Sequence, residues 1–171
     1  KERIQKYTVF PNPGTRKNWR ASFSAERDYF DGIQSLAGRG IYHSNIELFG
    51  FNLDYFINRV LFLSGCTYFP IKGGVSGYGA TLIGLGLYIG PFWRLALEIS
   101  LRAGAAGGGN IPVGLGTVTQ LRYGISAAII EGFSAHLIWG KLVYVGTPIT
   151  ASSAEIGLSY NFGIPVRKIY Q

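Results

Sequence analysis

Between residues 76 and 105 hydrophobic and polar positions alternate with a period of two. In the first arm Thr81, Ile83, Leu85, Leu87 and Ile89 share one parity, and Ala80, Leu82, Gly84, Gly86 and Tyr88 share the other. The second arm sets Trp93, Leu95, Leu97, Ile99, Leu101 and Ala103 against Arg94, Ala96, Glu98, Ser100 and Arg102. Successive side chains of a strand project to opposite faces, so the pattern predicts a β-hairpin, nearly all hydrocarbon on one face, with charges and glycines on the other. Its turn is expected at Gly90-Pro91. Arms of about ten residues have the length that crosses a bilayer at a tilt, whereas a soluble sandwich would have shorter arms and polar groups facing water. A membrane-spanning helix over residues 75–93 is the competing reading. Five glycines, Pro91 and an apolar period of two rather than 3.6 argue against it.

The same rhythm predicts six more strands, at residues 19–27, 45–55, 60–69, 117–129, 133–145 and 153–164, the third with the weakest alternation. Lys141 breaks the outward face of the seventh, close to a strand end, where a long side chain can snorkel to an interface. Residues 28–44, 70–77, 104–116 and 146–152 read as long loops. Ile57-Asn58, Gly90-Pro91 and residues 130–132 read as tight turns. Connections therefore go long, short, long, short, long, short, long. Barrels of the bacterial outer membrane pair short periplasmic turns with longer outside loops, and an even strand number puts both termini on the periplasmic side. Aromatics give a separate check. Trp19, Tyr55, Phe56, Phe92, Trp93, Phe133, Tyr160 and Phe162 all fall at the turn end, where an interfacial girdle belongs. The expected fold is all-β, an eight-stranded antiparallel transmembrane up-and-down β-barrel over residues 19–164. Residues 1–18, basic and broken by Pro11, Asn12, Pro13 and Gly14, form a periplasmic arm or linker, and residues 165–171 a short basic periplasmic tail.

Composition narrows the partners. The formal net charge of +7 suggests nucleic acid at first sight. However, the bases are dispersed: Lys1, Arg3, Lys6, Arg16 and Lys17 at the start, Arg167 and Lys168 at the end, and Arg94, Arg102 and Arg122 on an inward face. No basic helix or RNP-like aromatic motif accompanies them, so nucleic acid is not an expected partner. Single Cys66 excludes an internal disulfide framework. Its context, Leu63-Ser64-Gly65-Cys66, imitates a lipoprotein cleavage box, but the preceding apolar run is only Val60 to Leu63 and the box lies mid-chain. Two histidines and one cysteine without close spacing predict neither a metal site nor a cofactor. With no Met and no leader-like segment, the sequence is expected to be a mature product or a piece of something longer.

In strand count, connection lengths and girdle, residues 19–164 resemble the small eight-stranded outer-membrane barrels, the OmpA/OmpX-like class. Ile156, Leu158, Tyr160 and Phe162 in the run EIGLSYNF look like the aromatic-ended last strand read by the barrel-assembly machinery, although here Gly163 to Gln171 follow. The resemblance implies residence in the bacterial outer membrane, contact with outer-membrane lipid and lipopolysaccharide, and insertion by that machinery. It also places the basic arm where a periplasmic partner or a preceding domain would meet it.

Candidate chemistry lies on the inward face, which holds Arg20, Glu26, Asn52, Asp54, Arg94, Glu98, Arg102, Gln120, Arg122, His136 and Glu155. An eight-stranded barrel is just wide enough for side chains to fill, so Arg94, Glu98, Arg102, Arg122, Asp54 and Glu155 are expected to pair across it as a buried charge network. So narrow a bore argues against a conducting pore. Some barrels of the resembled class modify lipid A, and the lipid A deacylase among them uses a Ser, a His and a Glu, with His and Ser two apart on a strand. Ser134 and His136 are two apart here, with Glu155 on the next strand. Their order is the reverse of the family's, and both point inward. A hairpin centred near Pro148 sets Glu155 opposite Lys141, five residues or about 17 Å from His136 at strand rise. His43-Ser44-Asn45 lacks the one-residue gap. A soluble lipocalin-like barrel conflicts with the inward Arg94, Glu98, Arg102 and Arg122. The expected function is non-enzymatic: a membrane anchor or loop-presenting module, with a lipid A-type acyl hydrolase as the alternative.

Overall fold

A computed structural model describes residues 18–31, 33–34, 41–42, 45–72, 77–108 and 114–163. The expectations for the arm over residues 1–17, the tail over 164–171, and His43 and Ser44 lie outside these. Eight strands of 12–14 residues form the body: β1 (Trp19–Asp31), β2 (Asn45–Phe56), β3 (Leu61–Lys72), β4 (Gly79–Phe92), β5 (Leu95–Gly107), β6 (Thr117–Ile130), β7 (Phe133–Tyr144) and β8 (Thr150–Phe162). Every strand pairs antiparallel with its sequence neighbours, and β1 pairs with β8, closing the sheet into an up-and-down barrel. A two-residue ladder, Ile33–Gln34 with Ile41–Tyr42, sits in the β1–β2 connection.

Alternation decides which face is which. Along β7 the positions alternate exposed or half-exposed with buried, and β5 keeps the same phase over most of its length. The exposed parity is apolar: Ile83, Leu101, Ile156 and Leu158 are each more than half exposed. An exterior of this kind matches hydrocarbon rather than water, and closure leaves no unpaired strand edge inside it.

The buried parity fills the lumen in three layers. Near the loop ends lies an apolar cluster including Phe30, Ile46, Leu48, Tyr68, Tyr78, Val118, Leu142, Tyr144 and Ile149. Near the turn ends Phe56, Phe62, Tyr88 and Ala96 form a second. Polar and charged side chains occupy the space between. Phe62 fits because Gly86 faces it, where a Cβ would come within 2.1 Å of the ring.

Several expectations need correction. The β4–β5 turn is Trp93-Arg94. Gly90 and Pro91 remain within β4, and the ladder shifts register between Ile89 and Phe92 before resuming at Phe92–Leu95. Proline lacks the N–H that regular pairing needs, and a bulge accommodates it. Strands also run further toward the loops than expected: β1 continues to Asp31, β3 to Lys72 and β5 to Gly107, while β8 begins at Thr150. At that end the inward face turns apolar as well, so hydropathy stops alternating although the backbone does not.

Candidate functional site: the sealed polar lumen

Arg20 of β1 is the hub of the polar layer. Its Nε donates to Asp54 Oδ2 at 2.9 Å, and its two terminal nitrogens donate to both Glu98 oxygens at 2.7 and 2.8 Å. A bidentate guanidinium–carboxylate pair is the strong form of this contact. The guanidinium carbon lies 5.3 Å from the ring centroids of Phe56 and Phe62 and 5.5 Å from that of Tyr88, so the turn-side aromatic layer also holds the cation. Ser126 donates to Glu98, and Ser64 donates to Asp54 Oδ1 at 2.6 Å. Arg102 extends the cluster to Asn52 Oδ1 at 2.9 Å, Ser64 Oγ at 2.6 Å and Tyr68 Oη at 3.2 Å.

A second centre forms on Glu155. Arg122 and Tyr68 donate to its Oε2, and His136 Nε2 lies 3.1 Å from Oε1. The other ring nitrogen, His136 Nδ1, meets Ser159 Oγ at 2.9 Å, and Ser22 donates to Ser159 at 3.1 Å. Between the two centres is a cavity of about 10 Å³, lined by Arg20, Asp54, Glu98, Arg102, Arg122, His136 and Glu155 among others; a cavity of that size holds about one water.

Further toward the loops, Glu26 accepts from Gln120 Nε2 at 3.2 Å. Asp28 is wholly buried beside Glu26, and among the described residues no cation pairs with its carboxylate. No group of three or more His, Cys, Asp and Glu among the described residues could hold a metal ion.

Thus Asp54, Glu98, Arg102, Arg122 and Glu155 converge in one buried layer. Arg94 does not join them. It lies in the β4–β5 turn, exposed, its guanidinium carbon 5.9 Å from the Trp93 ring centroid, because its inward parity falls beyond the barrel rim. Arg20 was expected in the lumen but not at its centre. Parity assigns a face, whereas Glu98 is 78 residues away and is brought opposite only by closure.

The hydrolase candidates also change partners. In the β7–β8 hairpin Val143 faces Thr150, so Glu155 stands opposite Ile138 and Gly157 opposite His136. That register replaces the expected separation of five residues with direct contact between His136 and Glu155. Ser134 is not the hydroxyl His136 meets; Ser159 is. Ser159, His136 and Glu155 carry hydrogen bonds in triad order, but all three are buried on the lumen side, between the two apolar layers, and Arg122 shares the carboxylate. The arrangement braces β7 against β8 and β1.

On the outer surface Trp19 and Tyr55 contact each other with ring centroids 4.9 Å apart, Phe133 and Tyr160 at 4.6 Å, and Tyr160 and Phe162 at 6.4 Å. Trp93 projects from its turn, 87% exposed. Phe56, grouped with these by position, faces inward instead.

No family model matches the chain, and no curated protein matches it. Solved structures do. Neisserial surface protein A aligns with 84% of this chain and 97% of its own, at TM-score 0.59 and 12% identity. The N-terminal β-barrel domain of Pseudomonas aeruginosa OprF aligns with 84% and 97%, at TM-score 0.57 and 15% identity. Ail, the attachment invasion locus protein of Yersinia pestis, aligns with 85% and 99%, at TM-score 0.53 and 14% identity. Identities this low speak to fold, and in fold the chain is a closed eight-stranded antiparallel β-barrel like the transmembrane barrels of these outer-membrane proteins.

Proposed function

We propose that the chain is a non-enzymatic outer-membrane barrel that anchors adjoining chain and presents its loop-side connections to partners. The observation that carries this reading is the filled lumen among the described residues: charged and polar side chains pair across the bore around a cavity of about 10 Å³, and two apolar layers flank it. A filled bore does not conduct, so function falls to the outer surface, the connections at residues 32–44, 73–78, 108–116 and 145–149, and the basic arm and tail. Lipopolysaccharide, the barrel-assembly machinery and a periplasmic partner or preceding domain are the partners this placement favours. Ail has been solved in complex with the heparin analogue sucrose octasulfate, and the net charge of +7 here gives an anionic partner the right sign.

The test is the full chain folded into planar lipid bilayers and, separately, expressed in a Gram-negative host. No single-channel conductance is expected, and steady ion-selective openings would sink the plugged-barrel reading. The Ser159–His136–Glu155 hydrogen bonds favour the hydrolase alternative, but a lipid hydrolase needs its hydroxyl within reach of lipid. Expression of the wild-type chain is expected to leave the lipid A acyl pattern unchanged by mass spectrometry. Loss of an acyl chain that requires His136 would establish the hydrolase instead.

A further inference from the structure

Two features of the outer surface have no part in the lumen. The first is a basic row near the loop-side strand ends. Arg27 of β1, Lys72 of β3 and Lys141 of β7 are all exposed. Arg27 ion-pairs with Glu47, and Lys72 stands opposite Glu47 in the β2–β3 ladder. Lys141 stands opposite Ser152, and neither lysine has an ion pair among the described residues. The cost of a cation on a lipid-facing strand falls toward the interface, so this row marks the headgroup level on the loop side.

The second feature is a groove on the outward face of β2 to β5, on the turn side of Lys72. It encloses about 390 Å³ and is lined by Phe51, Leu53, Gly65, Thr67, Thr81 and Ile83 among others. A second hollow of about 260 Å³ shares Leu53, Gly65 and Ile83 and is bounded by Trp19 and Tyr55. Gly65 keeps the groove open. A Cβ there would meet only the Leu53 carbonyl oxygen, at 3.9 Å, and its φ is not positive, so neither backbone nor packing requires glycine. Mid-strand glycine weakens a strand and often marks close approach by something else.

We propose that this face docks a phosphorylated glycolipid of the outer leaflet, its phosphates held by the basic row and an acyl chain lying in the groove. The inference rests on the outer-membrane reading above. Thr67 and Lys72 are five residues apart on β3, about 17 Å at strand rise and less in depth once the strand tilts, a separation that one acyl chain spans from its headgroup. The row crosses from β7 through β8, β1 and β2 to β3, about 19 Å at the usual strand spacing. That breadth exceeds a single phosphodiester, and it suits a headgroup with more than one phosphate and with hydroxyls, for which Tyr29 and Ser152 also face outward. A second copy of this chain packed symmetrically here would bring like charges together.

The test uses the full chain folded into phosphatidylcholine nanodiscs containing either lipid A or phosphatidylglycerol, with retained lipid read by native mass spectrometry across a lipid titration. Wild type, K72Q/K141Q and Gly65→Leu are compared, each first shown to migrate as a folded barrel before boiling. Lipid A is expected to stay bound to wild type. Loss of two basic contacts should weaken retention about thirtyfold, and Gly65→Leu should weaken it with all charges intact. Equal retention of phosphatidylglycerol would overturn the glycolipid assignment, and folded variants that hold lipid A as wild type does would overturn the site. A wild-type chain that does not fold in phosphatidylcholine alone would sink the barrel reading, and this site with it.

Discussion

Arg20 and Asp28 show what burial does to single charges in this lumen. Arg20 pairs with Asp54 and Glu98 at once, Arg102 supplies a second cation 4.0 Å from Asp54, and the Arg20 guanidinium is stacked among three aromatic rings. Removing one partner of a buried pair strands the other and costs about 3–5 kcal/mol, whereas replacing all partners with neutral groups costs far less. Arg20→Met is therefore expected to lose about that much in urea unfolding from lipid vesicles, and the double change Arg20→Met and Glu98→Gln, which leaves Asp54 with Arg102 at 4.0 Å, should recover much of the loss. Asp28 has no cationic partner among the described residues and lies beside the acidic Glu26, so Asp28→Asn should be neutral or stabilising. A double variant as unstable as Arg20→Met would show that packing around the guanidinium, not charge pairing, holds the layer. Parity alone was enough to place Arg20, Asp54, Glu98 and Arg102 on the inward face. It could not say which would meet, because each pairing depends on depth along a tilted strand and on partners as much as 78 residues distant.

At the scale of elements, the hairpins were readable where one face is apolar and the other polar, and unreadable where local turn chemistry misleads. Gly90-Pro91 has the composition of a turn, yet it forms an irregularity inside β4, and the reversal falls on Trp93, the only non-glycine residue with positive φ, 63°, among those described. In the same way Pro148 suggests the centre of the β7–β8 connection, while the chain turns around Gly146 at φ 81° and Val143 pairs with Thr150. That shift changes which side chains face each other, and it brings Glu155 to His136. Left-handed backbone costs a residue other than glycine about 1–2 kcal/mol. An indole 87% exposed at this turn would offset part of that cost by reaching a membrane interface. Trp93→Gly should therefore raise stability by about 1 kcal/mol in detergent micelles, where the ring has no fixed interface to occupy. In lipid vesicles the gain should shrink or reverse. Equal gains in both media would mean the indole anchors nothing.

For the whole molecule, closure is what turns eight marginal strands into one structure. The β1–β8 ladder joins the two ends of the barrel through thirteen residue pairs, from Trp19–Phe162 to Asp31–Thr150. Eleven of these β1 residues, Trp19 to Tyr29, also pair with β2 on their other side. A proline within β1 removes a donor from a strand hydrogen-bonded on both edges. Ala25 sits between Ile156 of β8 and Phe49 of β2 and faces outward, so changing it leaves the lumen contacts in place. Detergent-folded wild type should migrate faster unheated than boiled, with a strand-type far-UV spectrum, because closed barrels resist denaturant until heated. Ala25→Pro should lose the fast band while Ala25→Val keeps it. Strand content without a mobility shift in wild type would mean that the sheet closes only with other chains, and the sealed lumen would then be a property of the assembly. A fast band that survives Ala25→Pro would place the weight of closure on the buried charge layer, since Arg20 still links β1 to β2 and β5 through Asp54 and Glu98, and Ser22 still reaches Ser159 on β8.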